Sequence, residues 1–206
     1  MSADAQDCQA GDSRHRERMQ RKKEIIDKKI AAAADERGVF LIHTGNGKGK
    51  SSAAFGLVAR ALGHGKRVAV IQFVKSRSDT GEEAFFRRLP DIQWYVMGAG
   101  FTWETQDAAK DAAAANAAWD VARQALDDPA IDLIVLDEFT YAFKHRWLAL
   151  EPVVTAIAAR PAMQHLVVTG RAAPAELVAI ADTVTDMTLV KHAFQFGVPA
   201  MPGIEF

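Results

Sequence analysis

VFLIHTGNGKGKSSAAFGLVARALGHG, residues 39–65, contains the decisive transition of this chain. Its first six residues are apolar or β-branched with one histidine, the composition of a buried strand. Glycine then alternates with polar residues for five positions. From Lys50 the pattern turns helical and stops at Gly63 or Gly65. A strand, a glycine-rich turn and a helix that opens with Lys and Ser form a cradle for phosphate. The turn's N–H groups and the helix N-terminus converge on an anion, and glycine lets the main chain approach closely. Lys50 adds a mobile positive charge, and the Ser51 hydroxyl can reach Mg²⁺. The usual pattern is G-x-x-x-x-G-K-[ST]. Gly49, Lys50 and Ser51 fill its end, but its first glycine would fall on Thr44.

The same alternation continues outward. RVAVIQFV, IQWYVM, IDLIVLDEF, HLVVTGR and TVTDMTLV read as strands. Between them EEAFFRRL, an alanine-rich segment from about Asp107 to Asp127, LALEPVVTAIAAR and PAELVAIAD read as helices. Trp119, Ala122 and Leu126 share one face of the alanine-rich helix. Apolar strands alternating with helices imply a mainly parallel sheet covered on both faces, an α/β fold. The tail KHAFQFGVPAMPGIEF has glycines and prolines that break regular structure.

Before residue 38 the composition differs. Residues 1–13 are small and polar and read as a disordered leader. RHRERMQRKKEIIDKKIAAAADERG is basic and rich in helix formers. Its thin stripe of Met19, Ile25, Ile26 and Ile30 either docks on a partner or stays solvated. The expected division is therefore a leader with a basic helix over 1–37 and an α/β domain over 38–206.

Bulk properties exclude several classes. A net charge of −1 gives no general attraction to nucleic acid or to anionic membrane, so anion binding needs a local site. The single cysteine, Cys8, forms no disulfide within the chain, which agrees with a reducing compartment such as the cytoplasm. No apolar run approaches the ~20 residues that span a bilayer, and the charged N-terminus lacks the apolar core of a secretory signal. The histidines show no metal-ligand spacing with cysteine or acids, so no zinc site is expected.

Two more strand ends carry chemistry. Asp137 and Glu138 follow LIVL, and in open α/β sheets ligands sit at the carboxyl ends of strands. Successive strand side chains face opposite ways, so one acid faces the nucleotide, as a Mg²⁺ ligand, while the other serves structure. Thr169, Gly170 and Arg171 end another strand. Arg171 either reaches a phosphate as a planar donor or is a surface arginine.

GNGKGKSS, GFTW, LDEFTYA, TGR and VKHAF, in this order, resemble the P-loop corrinoid adenosyltransferases that act on cob(I)alamin and cobyrinic acid diamide. The resemblance runs from about Arg14 to the end of the chain and includes the basic helix. It implies a RecA-like P-loop fold, commonly a homodimer. It implies transfer of the 5′-deoxyadenosyl group of ATP to the Co(I) of a corrinoid, with triphosphate as leaving group, in adenosylcobalamin synthesis or salvage. It also implies that the triphosphate lies in the loop in the reverse sense to ordinary P-loop ATPases. Thr44, Gly45, Asn46, Gly47, Lys48, Gly49, Lys50, Ser51 and Ser52 then belong to the nucleotide site, with Arg171 nearby. Ser51 and Glu138 hold Mg²⁺, with Asp137 supporting or sharing that role. Phe101 and Trp103 match the aromatic residues that fill the space under the corrin ring and displace its lower ligand. A four-coordinate cobalt then accepts an electron more easily, from a reduced flavin or flavoprotein.

Such a reaction needs no protein nucleophile, and none is evident. The protein's part is positioning and charge neutralisation. Thr44 and Lys48 suit a cradle of altered shape with extra positive charge. Three rivals stand against this expectation: a nucleic-acid motor, a small-molecule kinase and a nucleotide-dependent regulator. The neutral charge and short length oppose the first. The lack of an arginine-rich lid opposes the second. The third leaves the GFTW aromatics without a purpose.

Overall fold

The computed structural model describes residues 3–74, 80–98 and 108–205. It divides into two compact units, residues 1–36 and 37–206. The first is one helix, α1 (Ala3–Ala32). It extends into the segment expected to be a disordered leader and ends at Ala32, six residues short of the glycine that closes the basic segment, Gly38. Once a helix is nucleated, each added residue gains a hydrogen bond at little further entropic cost, so the basic segment can propagate through its alanine- and glutamine-containing flank. Met19, Ile25, Ile26 and Ile30 are all exposed on it.

The second unit alternates strand and helix: β1 (Phe40–Thr44), α2 (Lys50–Gly63), β2 (Val68–Gln72), α3 (Gly81–Phe86), β3 (Ile92–Val96), α4 (Ala108–Asp127), β4 (Leu133–Asp137), α5 (Tyr141–Lys144), α6 (Leu150–Ala159), β5 (His165–Thr169), α7 (Ala175–Ile180) and β6 (Thr183–Asp186). A 3₁₀ turn, Ala193–Phe196, follows. The six strands form one sheet in the order β3-β2-β4-β5-β1-β6, and every pairing is parallel. This is the α/β, RecA-like P-loop architecture expected from the sequence. The short α5 was not legible, because its four residues are too few to show a period.

Strand alternation divides the core in two. Ile42, Ile71, Ile134, Leu136 and Val168 point to one face, where Ala118, Ala122, Leu126, Val153, Ile157 and Leu177 cover them. Val68, Val70, Leu133, Val135 and Val167 point to the other, against Ala54, Phe55, Val58, Phe86 and Trp94. Leu126 and Ala122 are fully buried and Trp119 partly so, as their helical spacing required. The last strand is shorter than TVTDMTLV suggested. It ends at Asp186, and all four of its residues are exposed.

Candidate functional site

The turn between β1 and α2 is built by backbone conformation. Gly45 has φ 97° and Gly49 φ 108°, both left-handed values that favour glycine. Gly49 is the N-cap of α2 and supplies no side-chain cap, so the first N–H groups of the helix remain available to an anion. The helix starts at Lys50, as the sequence implied. Thr44 does not occupy a turn position. It is the last residue of β1, paired with Asp186. Its carbonyl accepts from Met187 N at 2.9 Å, and its hydroxyl accepts from Ala173 N at 3.3 Å. No glycine is needed there. The tight glycine of this loop is Gly45, one residue later than the usual pattern, so the turn itself is shorter.

The chain after β6 forms the floor of this turn. Gly47 N donates to Met187 O at 2.6 Å. A Cβ on Gly47 would meet the carbonyl oxygens of Met187 and Thr188, each at 2.6 Å, and one on Gly45 would clash with Asp186 and Met187. The glycines are thus required by close packing as well as by the anion they are suited to admit.

Lys50 is buried at 7% exposure. Its Nζ donates to Gly47 O at 2.6 Å, so the lysine folds back over its own loop. Burial lowers its pKa, and Glu138, Arg171, Lys48 and Asp137 all lie close enough to act on it by charge: the acids raise it and the two cations lower it. Residues far apart in sequence are therefore brought to one place. His43, also buried, has Nδ1 3.3 Å from the Lys50 carbonyl oxygen.

The two adjacent acids differ. Asp137 is fully buried, and its oxygens accept from Gln72 Nε2 at 2.9 Å and from the Thr169 hydroxyl at 2.8 Å. Gln72 stands opposite it in the β2–β4 register and itself accepts from Trp94 Nε1 at 3.1 Å. Thr169 Oγ1 in turn accepts from Glu138 N at 2.9 Å. A chain of hydrogen bonds thus crosses β3, β2, β4 and β5 beneath the site. Glu138 sits past the strand end with φ 56°, a left-handed conformation that a non-glycine residue holds only when its surroundings fix it. Tyr141 lies near it: burial, and then Glu138, raise the phenol's pKa, while Arg171 opposes them. Gly170, at φ 138°, packs on the Thr140 side chain, and Thr140 Oγ1 donates to Arg171 O at 2.6 Å. The Arg171 side chain is exposed but within electrostatic reach of Lys50.

Gln72 and Trp94 were missed by sequence reasoning. A lone glutamine in an otherwise apolar strand was the available signal, since a buried polar side chain requires a partner. Glu205, which forms a close ion pair with Lys48, was also missed, and an isolated acid in a tail gives no such signal. His192 caps the 3₁₀ turn, its Nδ1 accepting from Phe194 N at 3.1 Å. Phe101 and Trp103 lie outside the described residues.

A strand, a tight glycine turn floored by backbone, a buried lysine at an uncapped helix start and an acidic strand end define a P-loop nucleotide-binding protein. The description "ATP:corrinoid adenosyltransferase BtuR/CobO/CobP" matches residues 36–206, and "Cob(I)alamin adenosyltransferase N terminal" matches residues 3–30. A corrinoid adenosyltransferase of Pseudomonas aeruginosa is 62% identical over 196 residues, covering 95% of this chain and 97% of that one. The CobA corrinoid adenosyltransferase of Salmonella typhimurium is 44% identical over 195 residues, covering 95% and 99%. That of Escherichia coli is likewise 44% identical over 195 residues. The chain belongs to the ATP:corrinoid adenosyltransferase family.

Proposed function

We propose that this enzyme transfers the 5′-deoxyadenosyl group of ATP to the Co(I) of a corrinoid and releases triphosphate, in the synthesis or salvage of adenosylcobalamin. The observation that carries this is the buried Lys50 at the open start of α2, facing Glu138, in a chain of this family. Lysine desolvated in this way holds its proton less firmly than usual. A polyanion beside it favours the charged form, so triphosphate and Lys50 stabilise each other. Lys50 then leaves Gly47 O for phosphate oxygens, and Lys48 adds a second charge from the loop.

The bond broken joins the ribose 5′ carbon to its oxygen. The transition state therefore places new charge on the whole triphosphate rather than on a terminal phosphoryl group. Loop amides at Gly45, Asn46 and Gly49, the start of α2 at Ser51 and Ser52, and the two lysines neutralise that charge. Because the sugar end must meet a bulky macrocycle, ATP lies in the loop in reverse, with its 5′ carbon directed outward. Arg171 reaches the phosphates from the end of β5.

The donor set fits Mg²⁺. Ser51 and Glu138 both offer hard oxygen ligands, and this ion takes one or two protein oxygens and completes its shell with phosphates and water. When bound it would offset triphosphate charge. Asp137, whose oxygens serve Gln72 and Thr169, fixes the strand end that presents Glu138 rather than ligating the ion itself. Phe101 and Trp103 pack under the corrin ring. A reduced flavin or flavoprotein supplies the electron, and the enzyme works in the cytoplasm as a homodimer. Among the described residues no helix is long and apolar enough to cross a membrane.

Incubation with ATP, Mg²⁺ and chemically reduced cobalamin tests the proposal. It should yield a light-sensitive spectrum of a new carbon–cobalt bond together with triphosphate. Orthophosphate release with no such spectrum would instead indicate a motor or a kinase. Phe101→Ala and Trp103→Ala should slow turnover from Co(II) more than turnover from pre-reduced Co(I).

A further inference from the structure

The loop lysine that faces solvent already has an anionic partner. Lys48 Nζ and Glu205 Oε2 form a close ion pair across 157 positions of sequence. The lysine side chain is 60% exposed and the glutamate 23% exposed. Glu205 is not there by chance of a loose end. Ile204 N and Glu205 N both donate to Met201 O, at 3.2 and 3.0 Å, and Gly203 has the left-handed φ of 80° that the turn requires. A built turn thus places a carboxylate on the cation of the phosphate loop.

We propose that Glu205 is an internal competitor of the triphosphate group for Lys48. A single carboxylate and a polyphosphate chain ask the same thing of an ammonium group, charge and hydrogen-bond acceptors. The polyphosphate carries several charges and displaces the carboxylate when ATP binds. After adenosyl transfer the triphosphate product, no longer tethered to the nucleoside, must leave a site built to hold it. The return of Glu205 to Lys48 lowers the affinity for that product and promotes its release. The two states exchange one ion pair for another, with no bond made or broken. This rests on the reading above that Lys48 contacts the triphosphate.

The test uses the full-length protein and two ligands, ATP and inorganic triphosphate, measured by calorimetry for the parent, Glu205→Gln, Lys48→Ala and the double variant. An exposed ion pair in water supports a change of about threefold. Glu205→Gln should tighten both ligands by that factor and strengthen product inhibition by triphosphate in steady state. Lys48→Ala should weaken both, and in its background Glu205→Gln should change nothing. In the parent, ATP should speed hydrogen exchange at the amides of Ile204 and Glu205. Unchanged or weaker binding in Glu205→Gln, or exchange slowed by ATP, would overturn the competitor role. If Lys48→Ala binds both ligands like the parent, it is the placement of Lys48 on the triphosphate that fails, and this inference falls with it.

Discussion

The middle of the sheet and its β6 edge are built on opposite principles. In β4 every residue is buried and both faces are covered. Its one carboxylate is satisfied by Gln72 and Thr169 from the strands on either side. In β6 every residue is exposed, and only β1 pairs with it. Yet both strands serve the same loop. The centre presents Glu138 at a fixed height by cross-strand hydrogen bonds, and the edge supports the glycine turn with main-chain carbonyls of residues 187–188. Rigidity comes from apolar packing in one region and from backbone contact in the other, so the two should fail differently when altered.

The largest difference should come from a truncation at the centre. Ile134→Ala removes a fully buried side chain and should lower unfolding free energy by about 4 kcal/mol in urea titration. A smaller loss of stability should follow Asp137→Ala, about 3 kcal/mol, because Gln72 and Thr169 lose a charged acceptor in the interior. Near the edge the effect should move from stability to binding. Gly47→Ala forces a Cβ against two carbonyls and should weaken ATP about tenfold, near 1.4 kcal/mol, measured by calorimetry.

Acid should probe how the edge is anchored. The Asp182 carboxyl is held below the usual range by hydrogen bonds from the Arg37 side chain and then from the Phe40 N–H. A depressed folded-state pKa means its contribution is present above the unfolded carboxylate value and is lost as pH falls through the folded one. The melting temperature of Asp182→Asn should therefore decline less steeply than the parent's below about pH 4. The smallest change should be Val184→Ala, exposed on β6, within about 0.5 kcal/mol of the parent in the same urea titration. A loss there as large as that of Ile134→Ala would show that the edge is covered in solution.

The centre was legible in sequence because it obeys pattern. IDLIVL and HLVVT are apolar runs too short for helices, and the two acids after LIVL mark where the strand meets the site. GKS likewise fixed the start of α2. What could not be read depends on distant chain coming together. The floor of the loop is made by backbone carbonyls, which no side-chain identity encodes. Thr44 resembled a defect only because motif spacing counts residues and not conformation; the left-handed turn begins at Gly45. Asp137 and Glu138 were legible as the carboxyl end of β4, but the different surroundings of the two depend on Gln72 and Thr169 from the strands flanking β4. The β6 strand was overextended because Met187, Thr188, Leu189 and Val190 keep the apolar and β-branched composition of a strand while the chain leaves the sheet.

The hydrogen bond from Lys50 to the carbonyl of Gly47 has a bearing on speed as well as affinity. That bond holds the Lys50 side chain against the carbonyl of its own loop, beside the uncapped start of α2. On the proposed reading Lys50 then needs only a short swing of its own side chain to meet phosphate, while Lys48 must first exchange its pair with Glu205. If Lys50 serves the triphosphate as proposed, its encounter with ATP should be governed by diffusion and charge more than by reordering of the loop.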